Sequence, residues 1–248
     1  MELTLLTINT WKCDGDYYNR RAVLKKELMK MEAQVILCQE CFRSADGSVD
    51  TLDELSQALG MAAYAVPARK KRRLLGDGWV GSYSGLGILT ALPVTDQTVI
   101  DLPSSDDDGG RKAQLLTIRL TSGQTLRIAN IHLTHLSDDE LRRRQLQAVL
   151  ETMRCSSATF RIIGGDWNTE ALSPLLTHMM ETVPAADCYV LGKGTQPVWV
   201  DHFFTLPLGA EPSIYPSFIR AGVVLDQPDA GSGLYPSDHF GIRVTLTY

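Results

Sequence analysis

Apolar residues gather in short runs separated by polar, glycine-rich or charged stretches, and the spacing within each run predicts its element. Glu2–Asn9 (ELTLLTIN) and Ala33–Cys38 are apolar, the first with β-branched residues, and predict buried strands. Gly85–Thr90 predicts a third. Arg111–Thr121 and Gln124–Leu133 alternate about Ser122-Gly123, the pattern of a hairpin. In Phe160–Glu170 (FRIIGGDWNTE) an apolar run leads into Gly164-Gly165, which predicts a buried strand ending in a tight turn. Val198–Leu206 is a strand interrupted by Asp201 and His202, and a last alternating strand follows Ser237-Asp238-His239.

Helical spacing covers Tyr18–Glu32 through Val23, Leu24, Leu28 and Met31, with Asp14 and Asp16 read as caps. Thr51–Leu59 is a short helix closed by Gly60. Ser137 and Glu140 form a capping box for a helix running to about Arg154. Ser173-Pro174 opens another that carries His178, read as structural.

Polar groups recur where the strands end: Asn9, Glu40, His132, the pair Asp166 and Asn168, Asp201, Asp238 and His239. Asp166 and Asn168 point the same way if the chain stays extended, and both offer oxygens to a hard cation, a water or a phosphoryl group. An Asp-x-Asn after Gly-Gly is equally ordinary turn chemistry. Asn130 and His132 share one face of their strand, where a histidine by itself usually satisfies a structural hydrogen bond.

Composition narrows the class. The chain has 248 residues, 44% hydrophobic and 21% charged, which suits one domain over 1–248. No long uncharged apolar stretch or signal peptide is seen, so no stable membrane insertion is expected and the cytoplasm is the expected compartment. A net charge of −5 gives no global attraction for long polyanions. Five cysteines without framework spacing fit reduced thiols, Cys38 and Cys41 included. Arg69, Lys70, Lys71, Arg72 and Arg73 form a cationic run, either a solvated loop or, beside a phosphoester site, the receiver of an anionic substrate; Trp79 and Tyr83 nearby are candidates for stacking on a base or lining a pocket, and equally for core or rim packing. Ser104–Gly110 (SSDDDGG) predicts a polar loop without a role.

The strand-end series resembles the endonuclease/exonuclease/phosphatase superfamily of deoxyribonuclease-I-like, metal-dependent phosphoesterases. TINTW, CQE, NIHL, GGDWN, VDHFF and SDHFG occur in the superfamily's order over nearly the whole chain. The resemblance implies an α/β fold, a four-layer sandwich of two mixed β-sheets flanked by helices. It also implies a Mg²⁺-dependent phosphoesterase, with Mn²⁺ as the alternative ion, in which an activated water attacks a phosphodiester or phosphomonoester in line. Glu40 is the first metal ligand, supported by Asn9 and Asp238. His239 acts as general base or phosphate donor with Asp201 orienting it, Asp166 positions or deprotonates the water, and Asn168 and His132 donate to phosphoryl oxygens. His202 stands where many relatives carry an aromatic residue, which leaves the partner of His239 open. The expected partner is a nucleic acid, in a nuclease-like reaction, or a small phosphorylated molecule or lipid headgroup; a non-catalytic binder of phosphorylated ligands is the third reading, and no protein partner is indicated.

Overall fold

In the computed structural model, residues 1–170, 174–175, 186–187, 200–206 and 216–248 are described. His178, and the helix expected after Ser173 beyond Pro174-Leu175, lie outside them. Two mixed sheets stack face to face. The first is built from β1 (Glu2–Asn9), β2 (Val35–Ser44), β3 (Ala62–Val66), β4 (Lys71–Leu75), β5 (Gly78–Thr90), β12 (Ser217–Val224) and β13 (Gly241–Thr247). Its strand order is β12-β13-β1-β2-β5-β3, with β4 also on β5. The second contains β6 (Val94–Leu102), β7 (Arg111–Arg119), β8 (Thr125–His132), β9 (Phe160–Asp166), β10 (Ala186–Asp187) and β11 (Asp201–Leu206), in the order β10-β11-β9-β8-β7-β6.

The core between the sheets joins Leu3, Leu5, Val35, Leu37 and Ile88 of one to Leu116, Ile128, Ile162 and Phe203 of the other. Outside the first sheet lie α1 (Tyr17–Leu28) and α2 (Thr51–Leu59), whose Leu24, Leu28, Leu52 and Leu55 cover Leu6, Ile8 and Ile36. Outside the second lies α3 (Asp139–Arg154), with Leu146, Val149 and Met153 on Leu115, Ile131 and Phe204. Helix, sheet, sheet and helix make the four layers. The central strands bury one face between the sheets and the other beneath a helix, which is why they read as continuous apolar runs, whereas the edge strands β4, β6 and β12 are largely exposed.

Several local expectations are corrected. Gly164 and Gly165 are not a turn: β9 runs straight through them to Asp166. A Cβ at Gly165 would fall 2.1 Å from the Ile131 carbonyl oxygen, and one at Gly164 2.4 Å from the Phe203 ring, so close approach of neighbours explains both glycines. β2 does not stop at Cys38; a β-bulge between Cys38 and Cys41 lets it continue to Ser44 and leaves Glu40 inside the strand at φ 54°. The cap of α3 is Asp138, which accepts from the Leu141 amide, rather than Ser137. Asp16 holds the cap position of α1 but makes no capping bond with its side chain. The basic run is half strand, since β4 pairs with β5 around Gly76-Asp77. Cys38 and Cys41 are buried free thiols.

Candidate active site

β1 and β2 run parallel, as do β8 and β9, while β11 and β13 run antiparallel to them. The C-terminal ends of the first four and the N-terminal ends of the last two therefore share one edge of the sandwich. Ladder register sets the rest: His132 stands opposite Asp166, and Asp166 opposite Asp201, three neighbours in one row of the second sheet. Asn9, at the matching end of the first sheet, reaches across to donate from Nδ2 to Asp166 Oδ2 at 3.0 Å.

Asp166 Oδ2 is the point of convergence. His132 Nε2 lies 3.4 Å away and His239 Nε2 4.0 Å away. Oδ1 accepts from the Asn168 amide at 2.9 Å. Burial pushes the Asp166 carboxyl up to about 7, with the Asp201 charge adding to the rise. His239 Nδ1–H donates to Asp201 Oδ2 at 2.8 Å. Burial lowers His239, but the Asp201 hydrogen bond and the charges of Asp201, Asp166 and Asp238 outweigh it and hold the imidazole at about 10. Burial and the charges of Arg111, His239 and Arg69 keep His132 well below its ordinary range, hence neutral.

The partner of His239 is thus Asp201. His202 points into the protein, donates from Nε2 to the Thr169 carbonyl at 3.0 Å and meets Trp167 edge-on. Trp167, fully buried against Phe204, fixes the segment that carries Asp166 and Asn168. Asn168 commits one amide hydrogen to the Leu133 carbonyl at 2.9 Å. Ser237 Oγ–H donates to the Asn9 carbonyl at 2.6 Å, and Arg20 spends its guanidinium on the Thr10, Trp11, Asp14 and Pro236 carbonyls. Together they lash the loop after β1 to the loop carrying exposed Asp238 and half-buried His239.

Glu40, thrown out of the ladder by the bulge, pairs with Lys12 Nζ at 2.9 Å. Trp11, Lys12, Glu40 and Asn168 all have φ in the left-handed region, and strained backbone of this kind gathers where function over-determines conformation. Asp166, Asp201 and His239 each offer an atom within 4.8 Å of the others, the one such metal-capable group among the described residues. Asp201 Oδ1 is buried without a hydrogen-bond partner there.

Of the cationic run, Arg69 alone lines the cleft that also holds Glu40 and His132. Arg73 turns inward, donating to Ser82 Oγ at 2.9 Å and Ser84 Oγ at 2.8 Å, while Lys70, Lys71 and Arg72 are exposed. Trp79 is exposed opposite Leu74. Two groups escaped the sequence reading. Arg111 lines the same cleft, held by Asp108 from the loop to which no role was assigned; only the short Asp-x-x-Arg spacing hinted at it. Gln39 and Asn130 bond each other between the sheets at 2.8 Å, and Asn130 also donates to the Cys38 and Gly87 carbonyls. A polar seam thus crosses the apolar sandwich just behind the site.

A sequence model of the Endonuclease/Exonuclease/phosphatase family matches residues 6–239. Among solved structures, a protein of that family from Bacteroides thetaiotaomicron superposes with a TM-score of 0.76 at 17% identity, covering 99% of this chain and 95% of its own. A mannosyl-6-phosphatase of Bacteroides thetaiotaomicron VPI-5482 gives 0.76 at 18%, covering 99% and 100%. TDP2 of D. rerio, complexed with a single-strand DNA product, gives 0.72 at 18%, covering 100% and 99%. At these identities the likeness is one of fold. No curated protein matches the sequence, and no helix among the described residues is long and apolar enough to cross a membrane.

Proposed function

The chain belongs to the endonuclease/exonuclease/phosphatase family, whose members hydrolyse phosphoesters, and from that premise we propose that it cleaves a phosphoric ester by in-line attack of water with Mg²⁺, or Mn²⁺, as cofactor. One observation carries the reading: Asn9, His132 and His239 converge on the buried Asp166 carboxylate while Asp201 holds His239 from behind. A carboxyl titrating at about 7 suits removal of a proton from water near neutral pH. His239, kept charged, is then the donor to a phosphoryl oxygen rather than the base, and Asp201 acts through it as a positioning residue. Neutral His132 and the remaining amide hydrogen of Asn168 supply further donors.

Glu40, Asn9 and Asp238 would hold the ion. The donor set fits a hard cation: oxygens without thiolates, a carboxylate re-aimed by a bulge and already facing the Lys12 ammonium, and a buried oxygen on Asp201 with no hydrogen-bond partner among the described residues. When bound, the cation neutralises phosphoryl oxygens. Its contribution is charge; proton movement belongs to the side chains.

One similar structure holds a single-strand DNA product and another is a mannosyl-6-phosphatase, so a nucleic acid and a phosphorylated sugar are the two substrate classes considered. Lys70, Lys71 and Arg72 are exposed and follow Arg69 of the cleft in the chain, which supports a polyanionic nucleic-acid substrate. The test is hydrolysis of bis(4-nitrophenyl) phosphate, 4-nitrophenyl phosphate and single- and double-stranded DNA, with Mg²⁺ and with EDTA. Turnover is expected to require the ion and to fall about 10³-fold in Asp166→Asn; turnover indifferent to both would sink the proposal.

A further inference from the structure

A narrow slot opens beside Glu40 and His132, walled also by Gly85, Arg69, Gly110 and Arg111, with about 20 Å³ of room. That space accepts the oxygens of a compact anion and excludes a ring. Its two guanidiniums are built in rather than scattered on a surface. Arg111 is 4% exposed; its Nε–H donates to Oδ1 of the wholly buried Asp108 at 2.9 Å and its Nη2 donates to His135 Nδ1 at 2.9 Å. Asp108 Oδ2 in turn accepts from Gln145 Nε2 of α3 at 3.1 Å, which ties the slot wall to the helical layer.

Arg69 faces it from the loop between β3 and β4. Its Nε is buried without a hydrogen-bond partner among the described residues, and it lies over Gly109, where a Cβ would stand 3.2 Å from Nε. Charge is unbalanced here. Glu40 is matched by Lys12 and Asp108 by Arg111, while Arg69 has no carboxylate within ion-pair distance among the described residues.

We propose that this slot receives the terminal oxygens of a phosphomonoester, so that the enzyme acts on dianionic phosphate ends in preference to internal diesters. The inference rests on the hydrolytic reading above and gives it a substrate class. In the reaction the water oxygen bonds to phosphorus, the ester P–O bond breaks, the alcohol leaves with a proton and inorganic phosphate remains. A monoester places an unesterified oxygen between Arg69 and Arg111, where planar guanidiniums form charge-assisted hydrogen bonds. A diester has two unesterified oxygens where a monoester has three, so with two held by the donors of the floor its second carbon arm, rather than an oxygen, would fall at the slot. The alcohol part has room elsewhere, in the cleft of about 490 Å³ beside Asp238 with Trp11, Tyr235 and Phe240 in its walls.

The experiment compares 4-nitrophenyl phosphate with bis(4-nitrophenyl) phosphate, which share a leaving group, for wild type, Arg69→Met and Arg111→Lys, and measures binding of inorganic phosphate by calorimetry. Wild type should favour the monoester. Arg69→Met should cost about tenfold or more in monoester kcat/KM and in phosphate affinity, less than about threefold on the diester, with an unchanged melting temperature. Arg111→Lys keeps the charge beside Asp108 and should show the same selectivity with smaller loss. Equal losses on both esters, a wild-type preference for the diester, or phosphate binding indifferent to Arg69 would overturn the slot. Turnover of neither ester, with phosphate binding still dependent on Arg69, would overturn the hydrolytic reading instead.

Discussion

The floor and the rim of the site are built by different means. On the floor, His132, Asp166 and Asp201 stand in one ladder row, and Asn9 joins them from the opposite sheet. Backbone hydrogen bonds of two sheets therefore set the distances between reacting groups, and sub-ångström placement comes from the fold itself. On the rim, Arg69 comes from a loop and its Nε has no hydrogen-bond partner among the described residues, while Arg111 opens β7 and is held at its tip by Asp108 and His135. On the proposed reading, chemistry falls where the scaffold is over-determined and choice of substrate where one or two contacts decide the geometry.

The sharpest way to break this contrast is Asp201→Asn. The amide can still hold His239 but no longer sustains its charge, so kcat should fall about 10²- to 10⁴-fold while KM and phosphate binding stay close to wild type. A fall in affinity instead would mean that floor and rim are not separable. Backbone tests come next. Gly165→Ala forces a Cβ onto the Ile131 carbonyl at φ 134°, and should destabilise by about 3 kcal/mol or more in denaturant unfolding. Gly110→Ala, at φ 77° on the rim with open space around it, should cost about 1 kcal/mol. Similar costs for the two would remove the distinction.

The smallest effect concerns acid. Burial pushes the Asp108 carboxyl up, but the Arg111 hydrogen bond and charge outweigh it and hold it below the usual range. A depressed carboxyl contributes stability above its unfolded value of about 4, and the contribution fades as pH falls through the folded value. The gap in melting temperature between wild type and Asp108→Asn should accordingly be widest at neutral pH and narrow below about pH 4. A gap unchanged from pH 7 down to about pH 2 would show that the ion pair does not anchor the loop.

Much of the floor was legible in the sequence because a polar side chain at the end of an apolar strand is visible in one dimension. Asn9, His132, Asp166 and Asp201 all stand at strand termini as the pattern predicts. The strand and helix signals marked most of the elements, but their stacking into four layers was expected only from the superfamily resemblance. The bulge at Glu40 was invisible because nothing in CQEC distinguishes a strand that ends from one that slips by a residue. Gly164-Gly165 looked like a turn since the atoms that forbid a side chain there belong to β8 and β11, far away in sequence. Asp108 and Arg111 escaped for the same reason: a loop without apolar residues is held by a charge pair and by Gln145, 37 positions on. The seam of Gln39 and Asn130 reads as two ordinary polar residues until the sheets are stacked.

Because Asn9 and Asp166 belong to opposite sheets, the bond between them makes the reacting centre a gauge of sheet spacing. Any force that pries the sandwich apart at this edge is felt first as a misplaced carboxylate. Mild heating or hydrostatic pressure should silence turnover while circular dichroism still records intact strands.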